Sequence, residues 1–154
     1  MEYRSIAVGG TFEMLHKGHQ FLLSKCFEYA DEVVIGLTGD LFAQKLGKNL
    51  KYDFSYRKIQ LEKFLSEYFP KRKYSIWELH DYFGPAILLE SIEAIIVTSD
   101  NSDRVKLAND MRTSKGISPL KILSVDLIKA QDGAPISSTR ILHGEIDNEG
   151  NVIK

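Results

Sequence analysis

Apolar residues along the chain alternate between two periods. Short, β-branched runs read as buried strands: Ile6-Ala7-Val8, Val33-Val34-Ile35-Gly36-Leu37, Ala94-Ile95-Ile96-Val97-Thr98 and Leu120-Lys121-Ile122-Leu123-Ser124-Val125. A fifth run, Tyr74 to Leu79, alternates and reads as a strand with one wet face. Between them the spacing changes to about 3.6 residues. From Gly18 to Tyr29 the apolar side holds Leu22, Leu23, Cys26 and Phe27, while Gln20, Ser24, Lys25 and Glu28 take the other side. Tyr56 to Tyr68 repeats the pattern and Pro70 stops it. A third helix is expected from Ser102 to Lys115, closed by Gly116, and a short last one near Ser137 to His143. Strands alternating with helices imply a parallel sheet with right-handed crossovers. The expected fold class is α/β: one doubly wound domain over residues 1–154, with a five-stranded parallel sheet and helices on both faces. Residues 144–154 read as a polar, loosely ordered tail.

Ligands of such sheets bind beyond the carboxyl ends of the strands, where strand order reverses. That directs attention to the loops following each strand. After the first strand comes Gly9-Gly10-Thr11-Phe12-Glu13-Met14-Leu15-His16-Lys17-Gly18-His19. Paired glycines let the backbone turn tightly and approach a ligand. His16 and His19, at the start of a helix, lie on one side of it beside free N–H groups that favour an anion. Gly18 is expected to clear space for a phosphate. A zinc pair is the competing reading, but no Cys, Asp or Glu sits nearby at ligand spacing. The last loop is Asp132-Gly133-Ala134-Pro135-Ile136-Ser137-Ser138-Thr139-Arg140. Its hydroxyls and N–H groups at a helix start suit phosphate oxygens, and Arg140 would add a charge-assisted fork. Alone, it could equally be an ordinary N-cap.

Composition narrows the partners. The 154 residues carry 20 Lys and Arg against 21 Asp and Glu, a net charge of −1. No general attraction to nucleic acid or to an anionic membrane follows, so anions must be held by a local cluster. Lys45, Lys48, Lys51 and Arg57 supply such a cluster after the second strand, with Lys45 the expected contact and Lys48 and Lys51 read as solvated. A single cysteine, no signal-peptide pattern and no membrane-length apolar run lead to a cytoplasmic expectation. The oligomeric state is left open, with a monomer favoured.

Taken together, the Gly-Thr-Phe and His-x-Gly-His elements of the first loop and the Ile-Ser-Ser-Thr-Arg run of the last resemble the signatures of the His-x-Gly-His nucleotidyltransferases, whose fold is Rossmann-like. Glu13 stands where the usual form has Asp. Asp81-x-x-Gly84-Pro85-Ala86, Asn109 with Arg112, and the Asp-Gly-x-Pro-Ile-Ser-Ser-Thr-Arg run extend the likeness over nearly the whole chain, to the archaeal and eukaryotic type of phosphopantetheine adenylyltransferase. The resemblance implies transfer of AMP from ATP to 4′-phosphopantetheine, with Mg2+ held mainly through substrate phosphates and no metal-binding residues of the protein's own. It implies catalytic roles for His19, His16, Lys45 and Thr11. Nucleotide contacts are implied at Gly10, Thr11, Phe12, His16, Gly18, His19, Ser99, Arg112, Ile136, Ser137, Ser138, Thr139 and Arg140. Acceptor contacts are implied at Thr11, Lys45, Arg57, Asp81 and Gly84. Rival acceptors within the same chemistry are FMN, nicotinamide mononucleotide and an alcohol phosphate used with CTP. An inactive nucleotide-binding regulator is the reading from another class.

Overall fold

In the computed structural model the first strand, β1 (Tyr3–Gly10), is flanked on both sides because its side chains are apolar in both directions: Ile6 and Val8 point to one face, Ala7 to the other. The described residues are 2–84, 89–98, 102–126 and 128–153, with residues 102 and 103 described by backbone alone. In chain order there follow α1 (Lys17–Tyr29), β2 (Ala30–Thr38), α2 (Asp40–Lys45), α3 (Phe54–Tyr68), β3 (Lys73–Leu79), β4 (Ala94–Thr98), α4 (Ser102–Ser114), β5 (Lys121–Val125) and α5 (Ser138–Leu142). The sheet has five strands in the order β3-β2-β1-β4-β5 and every pairing is parallel. Ile6 lies opposite Val33 on one side and Ala94 on the other, which keeps the apolar faces in register. Strand order reverses between β1 and β4, so the crevice expected for a ligand opens at their carboxyl ends.

The larger core packs Ile6, Val8, Ile35 and Leu37 of the sheet against Leu23 and Phe27 of α1 and Leu61 and Leu65 of α3. Cys26 is fully buried there, and burial pushes its thiol up to about 12, in keeping with a packing role. On the opposite face Ala7, Val34 and Ile95 meet Leu89, Ile92 and Leu120, and α4 buries Val105 and Ala108. All five expected strands and four expected helices are present, with ends moved by a few residues. The short helix α2 was not legible from periodicity, since six residues give too little pattern to read.

Three expected ligand contacts or features are instead structural. The Arg57 side chain has no exposed surface. Its guanidinium donates to the main-chain oxygens of Tyr52 and Thr11, each at 3.0 Å, and to Asp40 Oδ1 at 2.9 Å. It is a strut tying α3 to the first loop and to α2, not an acceptor ligand. Arg112, 1% exposed, donates to the carbonyls of Ser118, Leu89 and Ile92 at 2.8–3.1 Å. The nucleotide contact implied for Arg112 is therefore corrected: sequence could not reveal that three main-chain carbonyls claim it. The tail, expected to be loose, folds back as a clasp. Ile146 is buried with Ala130 and Ile136, Gln131 N donates to Gly150 O (2.8 Å), and Lys17 N at the start of α1 donates to Asn148 O (2.9 Å).

Arg112→Met should lower the unfolding free energy by roughly 3 kcal/mol, because three main-chain carbonyls, that of Ile92 buried, lose a charged donor. Urea titration measures it; a loss below about 1 kcal/mol, the usual net value of a single hydrogen bond, would mean the carbonyls do not depend on this guanidinium.

Candidate active site

The glycines that end β1 release the chain into a loop that returns to the sheet edge as α1. His16 is the N-cap of that helix, in extended conformation. Its Nδ1 accepts the Gly18 N–H at 3.0 Å, while His19 Nδ1 accepts the His16 N–H at 3.3 Å. Two imidazoles thus perform the reciprocal capping usually done by Ser or Thr with Glu or Gln. Because each Nδ1 accepts, the neutral rings carry their proton on Nε2. Their planes stack at 3.8 Å between centroids. Burial lowers His16 to about 4; burial, then the neighbouring His16, lowers His19 to about 3. At neutral pH both rings are uncharged hydrogen-bond donors.

Neighbouring residues hold this pair. A Cβ on Gly18 would stand 2.8 Å from His16 Cε1. The glycine therefore makes room for the capping imidazole, a different reason from the phosphate clearance expected of it. Phe12 is 2% exposed and its ring centroid lies 4.9 Å from that of His19. It props the histidine from the core side, at a backbone φ of +46° that costs a non-glycine residue about 1–3 kcal/mol.

The last loop meets the first directly. Ser138 Oγ donates to Met14 O and accepts from Met14 N, both at 3.1 Å, across 124 residues of chain. Ser137 Oγ caps α5 by accepting from Arg140 N at 3.2 Å. Both serine hydroxyls are thus engaged within the protein, and Thr139 is the exposed hydroxyl of the run. Arg140 does not extend toward a phosphate. Its guanidinium pairs with Asp132 and Glu145 and donates to Pro135 O at 3.0 Å, fastening its own loop.

These two loops line one cleft of about 550 Å³, whose wall includes Gly10, Thr11, Phe12, His16, Gly18, His19, Ile136, Ser137, Ser138 and Thr139. A narrower apolar cavity of about 190 Å³ adjoins it, sharing Gly9, Gly10, Leu22, Lys48 and Thr98 and walled by Phe42, Leu79, Tyr82 and Phe83. Lys45 is exposed at the end of α2 and lines neither space; Lys48 lines both. Of the three lysines, Lys48 and not the expected Lys45 is the one placed to meet a ligand there. The sequence favoured Lys45 because spacing along the chain does not show where α2 ends or what Glu13 holds. The Glu13 carboxylate accepts the Lys51 N–H at 2.7 Å and holds the 48–51 segment against the cleft. Asp81 also has a different task. Its Oδ1 accepts from Phe83 N and Gly84 N, and Gly84 sits at φ +47°, so the pair shapes the turn that presents Tyr82 and Phe83. Ser99, Pro85 and Ala86 lie outside the described residues. Asp126 and Arg104 also face these spaces and were not singled out as site residues from sequence.

A doubly wound sheet whose first and last loops are stapled into one cleft of phosphate-sized donors defines the nucleotidyltransferase class. The chain belongs to the cytidylyltransferase-like family, whose model matches residues 7–144, and within it to the group of the archaeal phosphopantetheine adenylyltransferases. It is 39% identical over 153 residues to the phosphopantetheine adenylyltransferase of Methanothermobacter thermautotrophicus, covering 99% of this chain and 92% of that protein. Identity to the protein of the same name from Methanosarcina acetivorans is 42% over 151 residues, covering 96% and 94%. Among solved structures, a protein of unknown function from Archaeoglobus fulgidus superposes with a TM-score of 0.71 at 21% identity, covering 86% of this chain and 99% of that one, a likeness of fold alone.

The buried imidazoles carry a pH signature. Above pH 6.5 they are neutral folded and unfolded, and stability is flat. As pH falls below 6.5 the unfolded chain takes up protons that the folded chain refuses until about 4 and 3, so stability declines, by up to about 1.4 kcal/mol per pH unit for each histidine. The double variant His16→Ser/His19→Gln keeps a capping box but cannot titrate, and its decline between pH 6.5 and 4.5 should be visibly shallower in urea titrations. Parallel slopes would show that the rings are not held neutral.

Proposed function

We propose that this protein transfers the AMP moiety of ATP to 4′-phosphopantetheine, giving dephospho-coenzyme A and pyrophosphate. The observation that carries the reading is the Ser138–Met14 staple, which puts the two histidines and the Ser-Ser-Thr run on one cleft beside a narrow apolar cavity. Near-full-length similarity to adenylyltransferases of this name supports it.

Such a transfer asks the protein for placement and charge stabilisation rather than covalent help. An oxygen of the acceptor phosphate attacks the α-phosphorus of ATP, and the bond from that phosphorus to the bridging oxygen breaks, releasing pyrophosphate. A phosphate monoester is already an anionic nucleophile, so no strong base is needed. His19, neutral with Nε2–H outward from its cap bond, donates to an α-phosphate oxygen as charge builds. With its pKa near 3 it acts as a fixed donor and not as a proton source. His16 and Thr11 hold the neighbouring oxygens, and the 137–139 segment receives the departing pyrophosphate. Lys48 bridges the acceptor phosphate to the reacting centre, and the uncharged arm of the acceptor lies in the cavity beneath Tyr82 and Phe83.

Mg2+ fits this cleft as a companion of the triphosphate. Among the described residues no group of three His, Cys, Asp or Glu side chains gathers to hold a metal. Asp126 and the hydroxyls of Thr11 and Thr139 are the hard oxygen donors the ion prefers, and it would supply charge neutralisation on the phosphates. A lone buried thiol suits a reducing cytoplasm, and no described helix is long and apolar enough to cross a membrane.

Pyrophosphate release measured with a panel of acceptors and triphosphates tests the reading; the proposal requires 4′-phosphopantetheine with ATP to lead. His19→Ala should lower turnover by about a hundredfold or more. Stability should fall by about 1 kcal/mol because the cap is lost. Near-normal turnover in the folded variant would remove His19 from the chemistry. For the lysines, Lys48→Ala should raise the acceptor KM roughly tenfold, the value of one charge-assisted hydrogen bond, while Lys45→Ala leaves it unchanged. The opposite ranking would return the role to Lys45.

A further inference from the structure

Arg104, on the first turn of α4, is the cation of the site that the mechanism above leaves unused. It lines the narrow cavity together with Lys48, and its guanidinium carbon lies 4.1 Å above the Tyr82 ring. Tyr82 is 44% exposed, so the stacked pair sits at the cavity mouth. Among the described residues, neither Arg104 nor Lys48 has a carboxylate within ion-pair distance. Two unpaired cations on one small cavity repel each other until an anion arrives. The effect is visible at Lys48: withdrawal from water, then the nearness of Arg104, lowers its pKa, against an opposing pull from Glu13. Below the cations the walls are apolar, formed by Phe42, Leu79, Phe83 and Val105. Such a cavity favours a ligand with an uncharged body and a charged end left at the mouth.

Resting on the proposed function, we propose that Arg104 is a specificity-determining residue of the acceptor site. Its guanidinium leaves the Tyr82 face to take two oxygens of the acceptor's terminal phosphate, with Lys48 on the same group. A planar fork is suited to that bidentate contact, where an ammonium gives only a point charge. Stacking on Tyr82 holds the fork at the mouth before the ligand comes. The pair makes the site select a phosphate-ended arm over the same arm ending in a hydroxyl. A surface arginine resting on a tyrosine for packing alone would have no such effect.

The test compares Arg104→Met and Arg104→Lys with wild type, by steady-state pyrophosphate release and by calorimetric binding of 4′-phosphopantetheine and of pantetheine. In Arg104→Met the acceptor KM should rise roughly ten- to a hundredfold, while kcat and the KM for ATP stay within about twofold, as expected for lost ground-state contacts to a charged group. The preference for 4′-phosphopantetheine over pantetheine should narrow by the same factor, and Arg104→Lys should recover part of it. An unchanged acceptor KM in an active Arg104→Met enzyme overturns the inference and leaves the proposed function standing. So does a fall in kcat at constant KM, which would place Arg104 on the reacting nucleotide. If wild type releases no pyrophosphate with this acceptor, yet phosphate-dependent binding is lost in Arg104→Met, the proposed function fails and the anion contact stands. Loss of neither, with wild type inactive, overturns both.

Discussion

The Ser138 hydroxyl on the backbone of Met14 is the contact on which the site depends. It donates to one main-chain group and accepts from the other, joining loops that lie 124 residues apart in sequence. In energy it is modest, on the order of 1 kcal/mol for each bond. Its leverage is geometric: it sets the distance between the groups that would receive the α-phosphate and those that would receive pyrophosphate, and a displacement of about 1 Å in such a site costs on the order of a hundredfold in rate. The C-terminal clasp reinforces it from behind, with Asn148 O accepting the first amide of α1 and Ile146 packed beneath the last loop.

Charge in the site is arranged by subtraction. Arg57, Arg112 and Arg140 are all committed to main-chain carbonyls or to acidic partners within the protein. They stiffen the loops, with their donors spent inside the protein. The histidines are drained of charge by burial, so the groups proposed to meet the α-phosphate are fixed neutral dipoles. Among the described residues, what remains is a pair of cations, Lys48 and Arg104, on the wall of the apolar cavity. Donors that do not have to reorganise, together with a local positive charge in a chain of net charge −1, are a consistent way to bind and turn over phosphates.

The departure at Glu13 fits the same logic. Its carboxylate reaches the Lys51 amide at 2.7 Å and holds the segment carrying Lys48 against the cleft wall. A residue of the first loop thereby sets the place of the cation proposed for the acceptor, linking the two spaces through the backbone.

The alternation of strands and helices, the parallel sheet and the two loops that line the cleft were legible in the sequence because each rests on local periodicity or on short runs of Gly, His, Ser and Thr. Which cation serves the ligand was not. An arginine's task depends on carbonyls brought to it by distant segments: Thr11 and Tyr52 for Arg57, Leu89, Ile92 and Ser118 for Arg112. Which lysine lines the two spaces turned on where a six-residue helix ends, and the order of the polar tail on a clasp closed by Asn148 and Gly150. Local pattern determined the scaffold and the chemistry of its two loops; only tertiary packing, by using up some polar groups and leaving others at the cleft, decided which residues face it.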